Sequence, residues 1–316
     1  YDEQFVWLAT GYSPINAEYS QLTYHFPTDD RVYVEVTGTG GYTLSAEAAA
    51  PQELPLQITA ATELQAWPFV GAAGDVVTVD LLAPTDAFGF LRLVDPQNVE
   101  LAYVSKEVGQ TGAQLVYTLP AAGPYMVEVS GDTTLTPYDL TISSVAPVAL
   151  PLDISAPGGE GGQTTWVFVG REGDILAASA RSLDGGDMLL DLYDAQNNPI
   201  AYSDDFSDIH PYLLTRLPED GAYSLVVNWS DWGTFLESGA AIAPLFGPFR
   251  LTAAVMEPQP LTLGDDVLTG TPEKRLWRFE GQAGDMVTLS AESSAGSESQ
   301  NLWLRLLDTG LAPIAF

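Results

Sequence analysis

The chain has 316 residues, of which 46% are hydrophobic and 10% aromatic, so it carries enough apolar side chains to build folded cores. Its 42 acidic residues against 11 lysines and arginines give a formal charge of −31, and such a surface repels nucleic acid. The absence of cysteine excludes disulfides, thiolate metal sites and a cysteine nucleophile, and no apolar run approaches the roughly 18 residues of a membrane span.

The first fifty residues hold a turn and two strand-like segments that return twice later in the chain. Recurrence of this kind indicates a repeat architecture. The copies are FPTDDRVYVEV from Phe26 with YTLS from Tyr42, LPAAGPYMVEV from Leu119 with YDLT from Tyr138, and LPEDGAYSLVV from Leu217 with FRLT from Phe249.

A second recurring motif, Trp-x-Phe-x-Gly-x-x-Gly-Asp, begins at Trp67, Trp166 and Trp277, about one hundred residues apart. Each copy is followed by a Leu-x-Leu-x-Asp segment, which ends at Asp95, Asp194 and Asp308. Proline-containing linkers precede the motif in all three copies and are expected to stiffen the connections.

The segments between turns alternate with a period of two, which is typical of strands with one buried face. Val77, Val79 and Leu81 are expected to face inward, while Thr78 and Asp80 face outward. Short strands with turns every 8–12 residues, and no apolar stripe of helical spacing, predict an all-β chain of tandem antiparallel jelly-roll-like β-sandwiches.

The ordered set of motifs resembles the bacterial pre-peptidase C-terminal domain family, and the resemblance extends over essentially the whole chain. The carrying motifs are Trp-x-Phe-x-Gly-x-x-Gly-Asp, Leu-x-Leu-x-Asp, Leu-Pro-x-x-Gly-x-Tyr and the final Tyr-x-Leu. This resemblance implies small sandwiches attached to secreted enzymes and surface proteins, an extracellular or cell-surface location, calcium or polymer binding in some members, and no catalysis in the module.

The repeats predict four units along the chain. Residues 51–147 and 148–257 are expected to be complete sandwiches, whereas residues 1–50 carry only the later elements and residues 258–316 only the earlier ones. A half-sandwich exposes its inner face and open strand edges. We therefore expect residues 1–50 to pack on a 258–316 segment, supplied by another copy or by continuing chain, in a polymeric assembly.

One acid-rich stretch of the third unit is a candidate metal site. Calcium takes six to eight oxygen ligands, which clustered turn aspartates can supply, although a solvated loop explains the same composition. The candidate ligands are Asp184, Asp187, Asp191, Asp204 and Asp205. The repeated Gly-Asp pairs are instead expected to be turns in which the acid accepts hydrogen bonds from its own backbone.

An insertion between Val227 and Phe249 lengthens one connection of the third unit. Because aromatic side chains on a long loop are costly to expose, we expect it to form a protein interface, with sugar stacking as the alternative. The insertion also brings an Asn-Trp-Ser sequon at Asn228, a candidate for glycosylation in a secreted protein. The candidate interface residues are Trp229, Trp232, Phe235 and Phe246.

No catalytic constellation emerges from the sequence. The chain has only two histidines, His25 and His210, and neither lies in a nucleophile-elbow pattern, so we expect both to be structural. Two non-enzymatic functions follow. The first is a structural building block of an extracellular filament, sheath or layer, with copies of itself as partners. The alternative is a set of polysaccharide- or protein-binding modules of a secreted hydrolase.

Overall fold

The fold was analysed in a computed structural model, which describes residues 22–26, 29, 31–37, 40–60, 65–132, 135–158, 163–204, 210–229, 247–263, 275–283, 285–291 and 304–315. All regular elements in this part of the chain are β-strands. The described residues contain no helix of the length and hydrophobicity needed to traverse a bilayer. The predicted all-β architecture is therefore confirmed.

The first sandwich is an eight-stranded jelly roll. One sheet has the strand order β1-β8-β3-β6 and the other β2-β7-β4-β5, with every neighbouring pair antiparallel. The last strands of the sandwich, β7 and β8, thus lie in the interior of the two sheets. The strands are β1 Leu56–Ala60, β2 Gln65–Gly71, β3 Val76–Leu82, β4 Gly89–Val94, β5 Glu100–Lys106, β6 Gly112–Thr118, β7 Gly123–Gly131 and β8 Tyr138–Val145.

The second sandwich repeats this topology. Its sheets have the orders β9-β16-β11-β14 and β10-β15-β12-β13. Both sandwiches fall within the predicted units 51–147 and 148–257, whose boundaries remain predictions. The strands are β9 Leu152–Ala156, β10 Gln163–Gly170, β11 Ile175–Ser182, β12 Met188–Tyr193, β13 Pro199–Ser203, β14 Tyr212–Arg216, β15 Gly221–Trp229 and β16 Phe249–Val255.

The two cores are built from the inward-facing positions of these strands. Val77, Val79 and Leu81 are buried as the alternation predicts. Thr78 faces away from the core, yet it too is buried, and its hydroxyl is 2.8 Å from that of Ser143. The outer face of this sheet is therefore covered rather than solvated.

The aromatic residues occupy equivalent places in both sandwiches, meaning places that align when the repeated motifs are superposed. Phe168 and Tyr223 stack with ring centroids 5.6 Å apart, and the Tyr223 hydroxyl donates to the Glu219 carbonyl over 2.7 Å. Trp67 and Trp166 lie opposite Val127 and Leu225, but they are only half-buried at the edge of the cores. The fully buried rings of the cores are instead those of phenylalanine and tyrosine, such as Tyr125 and Tyr223.

The Gly-Asp pairs form turns that bond their own backbone, as predicted: Asp75, Asp174 and Asp285 each accept the backbone N–H of the residue three positions earlier, at 2.8–3.2 Å. The aspartates of the Leu-x-Leu-x-Asp segments also accept bonds from their own loops. Asp95, Asp194 and Asp308 each accept two backbone N–H bonds from the residues two and four positions later, at 2.8–2.9 Å. The third residue after each aspartate has a left-handed backbone, with φ of 63°, 62° and 68° at Asn98, Asn197 and Leu311. The same turn is thus built in all three copies, although the third has leucine where asparagine suits this conformation better.

The C-terminal segment, defined as the described residues of 258–315, contains two short strand pairs. Strand β17 (Gln259–Pro260) pairs in parallel with β18 (Trp277–Arg278). Strand β19 (Leu306–Leu307) pairs with β20 (Pro313–Ala315) in the register of β4 and β5, with the same irregularity. The N-terminal segment, defined as the described residues of 22–50, contains no strand.

Candidate functional site

The acid-rich stretch of the second sandwich spreads its carboxylates over several places. The Ser182 hydroxyl donates to Asp184 over 2.7 Å, and the Asn228 amide donates to Asp191 over 2.7 Å. One carboxylate oxygen of Asp187 is buried and has no hydrogen-bond partner. Asp204 is half-buried, and Asp205 lies outside the described residues. The described residues bring no three histidine or acidic side chains into a metal-binding group, and calcium binding stays a prediction.

Lys106 of the first sandwich aligns with Asp205 of the second. The Lys106 side chain is fully buried, and its ammonium donates to the Ala87 carbonyl over 2.7 Å. Burial lowers the Lys106 pKa, while Asp86, Asp132 and Glu107 act to raise it. The acidic corner of the first sandwich therefore carries its own positive charge.

The candidate residues of the insertion lie largely outside the described part of the chain. Trp229 ends strand β15, where its backbone pairs with Met188, and the other three aromatic candidates, Trp232, Phe235 and Phe246, are not described. Asn228 lies inside the strand, and the amide nitrogen to which a glycan would be attached donates to Asp191. The interface and glycosylation hypotheses both remain predictions.

A repeated contact, which we call the joint, connects successive sandwiches. The Thr118 N–H of the first sandwich donates to the Ala195 carbonyl of the second over 2.8 Å. Beside this bond, Val76 and Val116 form a small buried cluster with Val167. A chain of polar groups completes the joint, in which the Thr165 hydroxyl donates to Gln114 and the Gln114 amide donates to Asp80.

The joint recurs at both ends of the chain. His25 occupies the place of Thr118 in the N-terminal segment, and its Nδ1 lies 2.7 Å from the Pro96 carbonyl. The same histidine exchanges two further bonds with Asn98, at 2.8 and 2.7 Å. At the other end, Arg216 donates to the Thr309 carbonyl over 3.4 Å. The accepting residue directly follows the turn aspartate in all three joints, so each copy presents the same turn to the copy before it.

Core positions of the N-terminal segment are uncovered. Val34 aligns with Val127, and the exposed fractions of the two residues are 61% and 1%. Tyr42 aligns with Tyr138, and here the fractions are 68% and 1%. Leu44 and Val36 are also exposed, although their equivalents in the first sandwich are buried.

Apolar residues of the C-terminal segment are likewise more exposed than the residues of the first sandwich with which they align. Val287 aligns with Val77, with exposed fractions of 40% and 0%, and Leu304 aligns with Leu91, with fractions of 47% and 0%. Leu289 is likewise exposed, whereas its equivalent Val79 is buried. Both segments thus expose apolar residues at positions that align with buried positions of the first sandwich.

Sequence reasoning missed the joint. The accepting groups are backbone carbonyls, and the donors are a backbone N–H, an imidazole and a guanidinium, so no shared side-chain type marks the position. The only available signal was positional, because His25, Thr118 and Arg216 each directly precede the first residue of the Leu-Pro or Phe-Pro turn.

Burial at the joint gives the first sandwich a specific pH dependence. Burial raises the pKa of Asp80, and the hydrogen bond from Gln114 opposes the shift. A carboxyl whose pKa is raised by folding binds protons more readily in the folded state, so its contribution to stability improves as the pH falls through the folded-state pKa. Asp80 should therefore contribute a rise in melting temperature as the solution is acidified from neutral pH toward the ordinary value of 3.8. Burial also raises the pKa of Glu128 in this sandwich, so Glu128 adds to the rise.

Asp80→Asn should flatten this rise, because the amide keeps an acceptor for Gln114 but does not titrate. The measurement is the melting temperature of the wild type and the variant at a series of pH values in the same salt. The hydrogen bond from Arg250 lowers the pKa of Asp153. The stabilising effect of the Asp153 carboxylate is therefore lost only below the ordinary value of 3.8, outside the pH range of this experiment. An identical slope for both proteins would refute the assignment to Asp80.

No protein-family model matches the chain, and no curated protein sequence does. Among solved structures, it is similar to the pre-peptidase C-terminal domain of a collagenase from Bacillus anthracis, with 18% identity over 34% of this chain and 91% of that one, at a TM-score of 0.27. It is also similar to the tandem CBM22 domain of Xyn10C from Paenibacillus barcinonensis, with 11% identity over 64% and 87% of the two chains, at a TM-score of 0.20.

A third similar structure joins the M60 catalytic domain of ZmpB from Clostridium perfringens to two CBM51 domains. Identity is 8% over 64% of this chain and 34% of that one, at a TM-score of 0.22. All three are distant likenesses, from which no function is transferred to this chain.

Proposed function

We propose that the chain is a non-catalytic structural element of an extracellular or cell-surface assembly, in which one copy completes the sandwich that another begins. The observation that carries the proposal is the exposure of apolar residues in both terminal segments at positions that are buried in the complete sandwiches. Burying one large apolar side chain contributes about 1.5–3 kcal/mol, so covering both faces favours association strongly.

The topology makes the two segments complementary. In the first sandwich, β7 lies between β2 and β4, and β8 lies between β1 and β3. The N-terminal segment carries the equivalents of β7 and β8, whereas the C-terminal segment carries the equivalents of β2, β3, β4 and β5. Each segment therefore offers the strands that the other lacks, and a head-to-tail array of copies follows. Membership of the pre-peptidase C-terminal domain family is part of this proposal.

The test is the size of the 316-residue chain in solution over a wide range of concentrations, measured by sedimentation velocity and viewed by negative-stain electron microscopy. We expect an open-ended series of species and linear particles, because a head-to-tail contact does not close after two copies. A single monomeric species at the highest concentration would overturn the proposal, as would a closed dimer.

A second candidate is binding of polysaccharide or protein as an accessory module. It is favoured by the aromatic-rich insertion between Val227 and Phe249: residues 230–248 connect β15 to β16, where the first sandwich connects the equivalent strands with residues 132–137. Glycan-array binding that is lost in Trp229→Ala and Trp232→Ala would support this function. The wild type binding no glycan would remove the polysaccharide form of the candidate.

A further inference from the structure

The first sandwich contains an ion pair between the strands that complementation would bring together. Arg92 on β4 lies directly opposite Glu128 on β7, and the guanidinium is 2.9 Å from the Glu128 carboxylate. Both side chains are largely shielded from solvent. Burial raises the Glu128 pKa, and the positive charge of Arg92 opposes this shift. Arg92 also contacts Glu100 on β5 over 2.7 Å, so one guanidinium bridges the carboxylates of two neighbouring strands.

The same two residue types stand at the equivalent places of the terminal segments. Arg305 aligns with Arg92 in the Leu-Arg-Leu segment, and Glu35 aligns with Glu128 in the Val-Glu-Val segment. The second sandwich differs, because it has Asp191 and Val226 at these places. The ion pair is therefore not a general requirement of this sandwich, and its two halves recur in segments that are distant in the chain.

The glycines of the Trp-x-Phe-x-Gly motif independently indicate how the N-terminal segment would pack on the C-terminal segment. A Cβ atom at Gly71 would lie 2.1 Å from Leu119, and one at Gly170 would lie 2.2 Å from Leu217, so any larger residue would have to displace the leucine that packs there. At Gly281, a Cβ would meet no atom within 4 Å. The residue that aligns with Leu119 and Leu217 is Phe26, in the N-terminal segment, where it is 48% exposed.

Part of the receiving sheet is already formed. Leu306 pairs with Ala315 in the register in which Leu93 pairs with Ala102. A preformed hairpin can accept the next strand with little further ordering, which favours a single register.

From these observations we infer the register of the intermolecular sheet: residues 31–36 of one copy insert between β18 and β19 of a second copy, with Glu35 opposite Arg305 and Phe26 over Gly281. This inference rests on the proposed function and adds to it the strand order and the residue pair that selects the partner. A shielded pair of opposite charges gives specificity, because like charges at the same place repel.

The test is a charge exchange in the full 316-residue chain. Glu35→Arg alone and Arg305→Glu alone should each weaken association about tenfold or more, because like charges then meet. The double variant carries both changes in every copy and should return to within about threefold of the wild type. Glu280→Arg is the matched control, since its equivalents Val70 and Val169 are exposed in the complete sandwiches, and it should not weaken association.

The outcomes separate this inference from the proposed function. If the wild type does not associate, the proposed function fails. If the wild type associates but the single variants match it, or the double variant is no better than the single ones, then the register is wrong and the proposed function stands. The melting temperatures of the two complete sandwiches should be unchanged in all variants, which excludes misfolding as the cause.

Discussion

Leu289→Asp is expected to weaken association of the chain at least about a thousandfold. The equivalents of Leu289 are Val79 and Ala178, both buried in the cores of the complete sandwiches. Association would place the new carboxylate in such a core without a partner, at a cost of several kcal/mol, and would also remove the contribution of the buried leucine. Sedimentation velocity over a range of concentrations measures the change.

Ser290→Asp is the matched control, because it adds the same charge one residue later and on the opposite face of the strand. The first sandwich has Asp80 at that place, so an acid is already accommodated there. Ser290→Asp should therefore associate much like the wild type. Equal loss in both variants would mean that added charge alone, and not burial of position 289, prevents assembly.

Tyr223→Ala is expected to destabilise the second sandwich by about 3–5 kcal/mol. The Tyr223 side chain is almost fully buried, stacks on Phe168 and lies beside Gly170, where an added Cβ would come within 3.2 Å of the Tyr223 ring. The loss is a large part of the roughly 5–15 kcal/mol that stabilises an ordinary domain. Chemical denaturation, followed by circular dichroism, measures it.

Tyr223→Phe separates packing from hydrogen bonding. It keeps the ring and removes the hydroxyl, which donates to the Glu219 carbonyl over 2.7 Å and accepts the Glu219 N–H over 3.3 Å, so a loss of about 0.5–1.5 kcal/mol is expected. Should the alanine variant unfold at the same denaturant concentration as the phenylalanine variant, the stacked ring would not be the centre of this core.

The local structure of the sandwiches could be predicted from the sequence because it depends on local rules. The alternation of Val77, Val79 and Leu81 requires a strand with one buried face, and the turn aspartates satisfy backbone N–H groups within four residues of themselves. Repetition of both signals at the same spacing then fixed the number of copies. These features need no knowledge of distant contacts.

The surroundings of each sandwich could not be predicted in the same way. Thr78 and Asp80 alternate correctly with the core residues, but the joint covers their face, so polar side chains that suggested solvent are buried or half-buried. The conspicuous tryptophans of the motif lie at the edge of the cores, whereas Tyr125 and Tyr223 fill the centres. Which ring fills a core depends on the distance between two sheets, and that distance is a tertiary property.

The repeated joint gives the proposed array a defined geometry. Pro96, Ala195 and Thr309 accept the contact at the same turn of successive copies. A sandwich completed by two chains would therefore be held on both sides by joints of the kind that connects the first and second sandwiches. In the proposed array, uniform joints of this type would favour a regular arrangement of successive sandwiches.

The most direct measurement of sandwich complementation is a disulfide between two different chains. The chain has no cysteine, so Glu35→Cys in one chain and Arg305→Cys in another, distinguishable by mass, give one defined pair on mixing and mild oxidation. We predict a disulfide-linked heterodimer in high yield, and little product when Glu280→Cys replaces Arg305→Cys. Failure of the 35–305 pair to form a disulfide between chains, or a yield no higher than that of the 35–280 pair, would contradict the account.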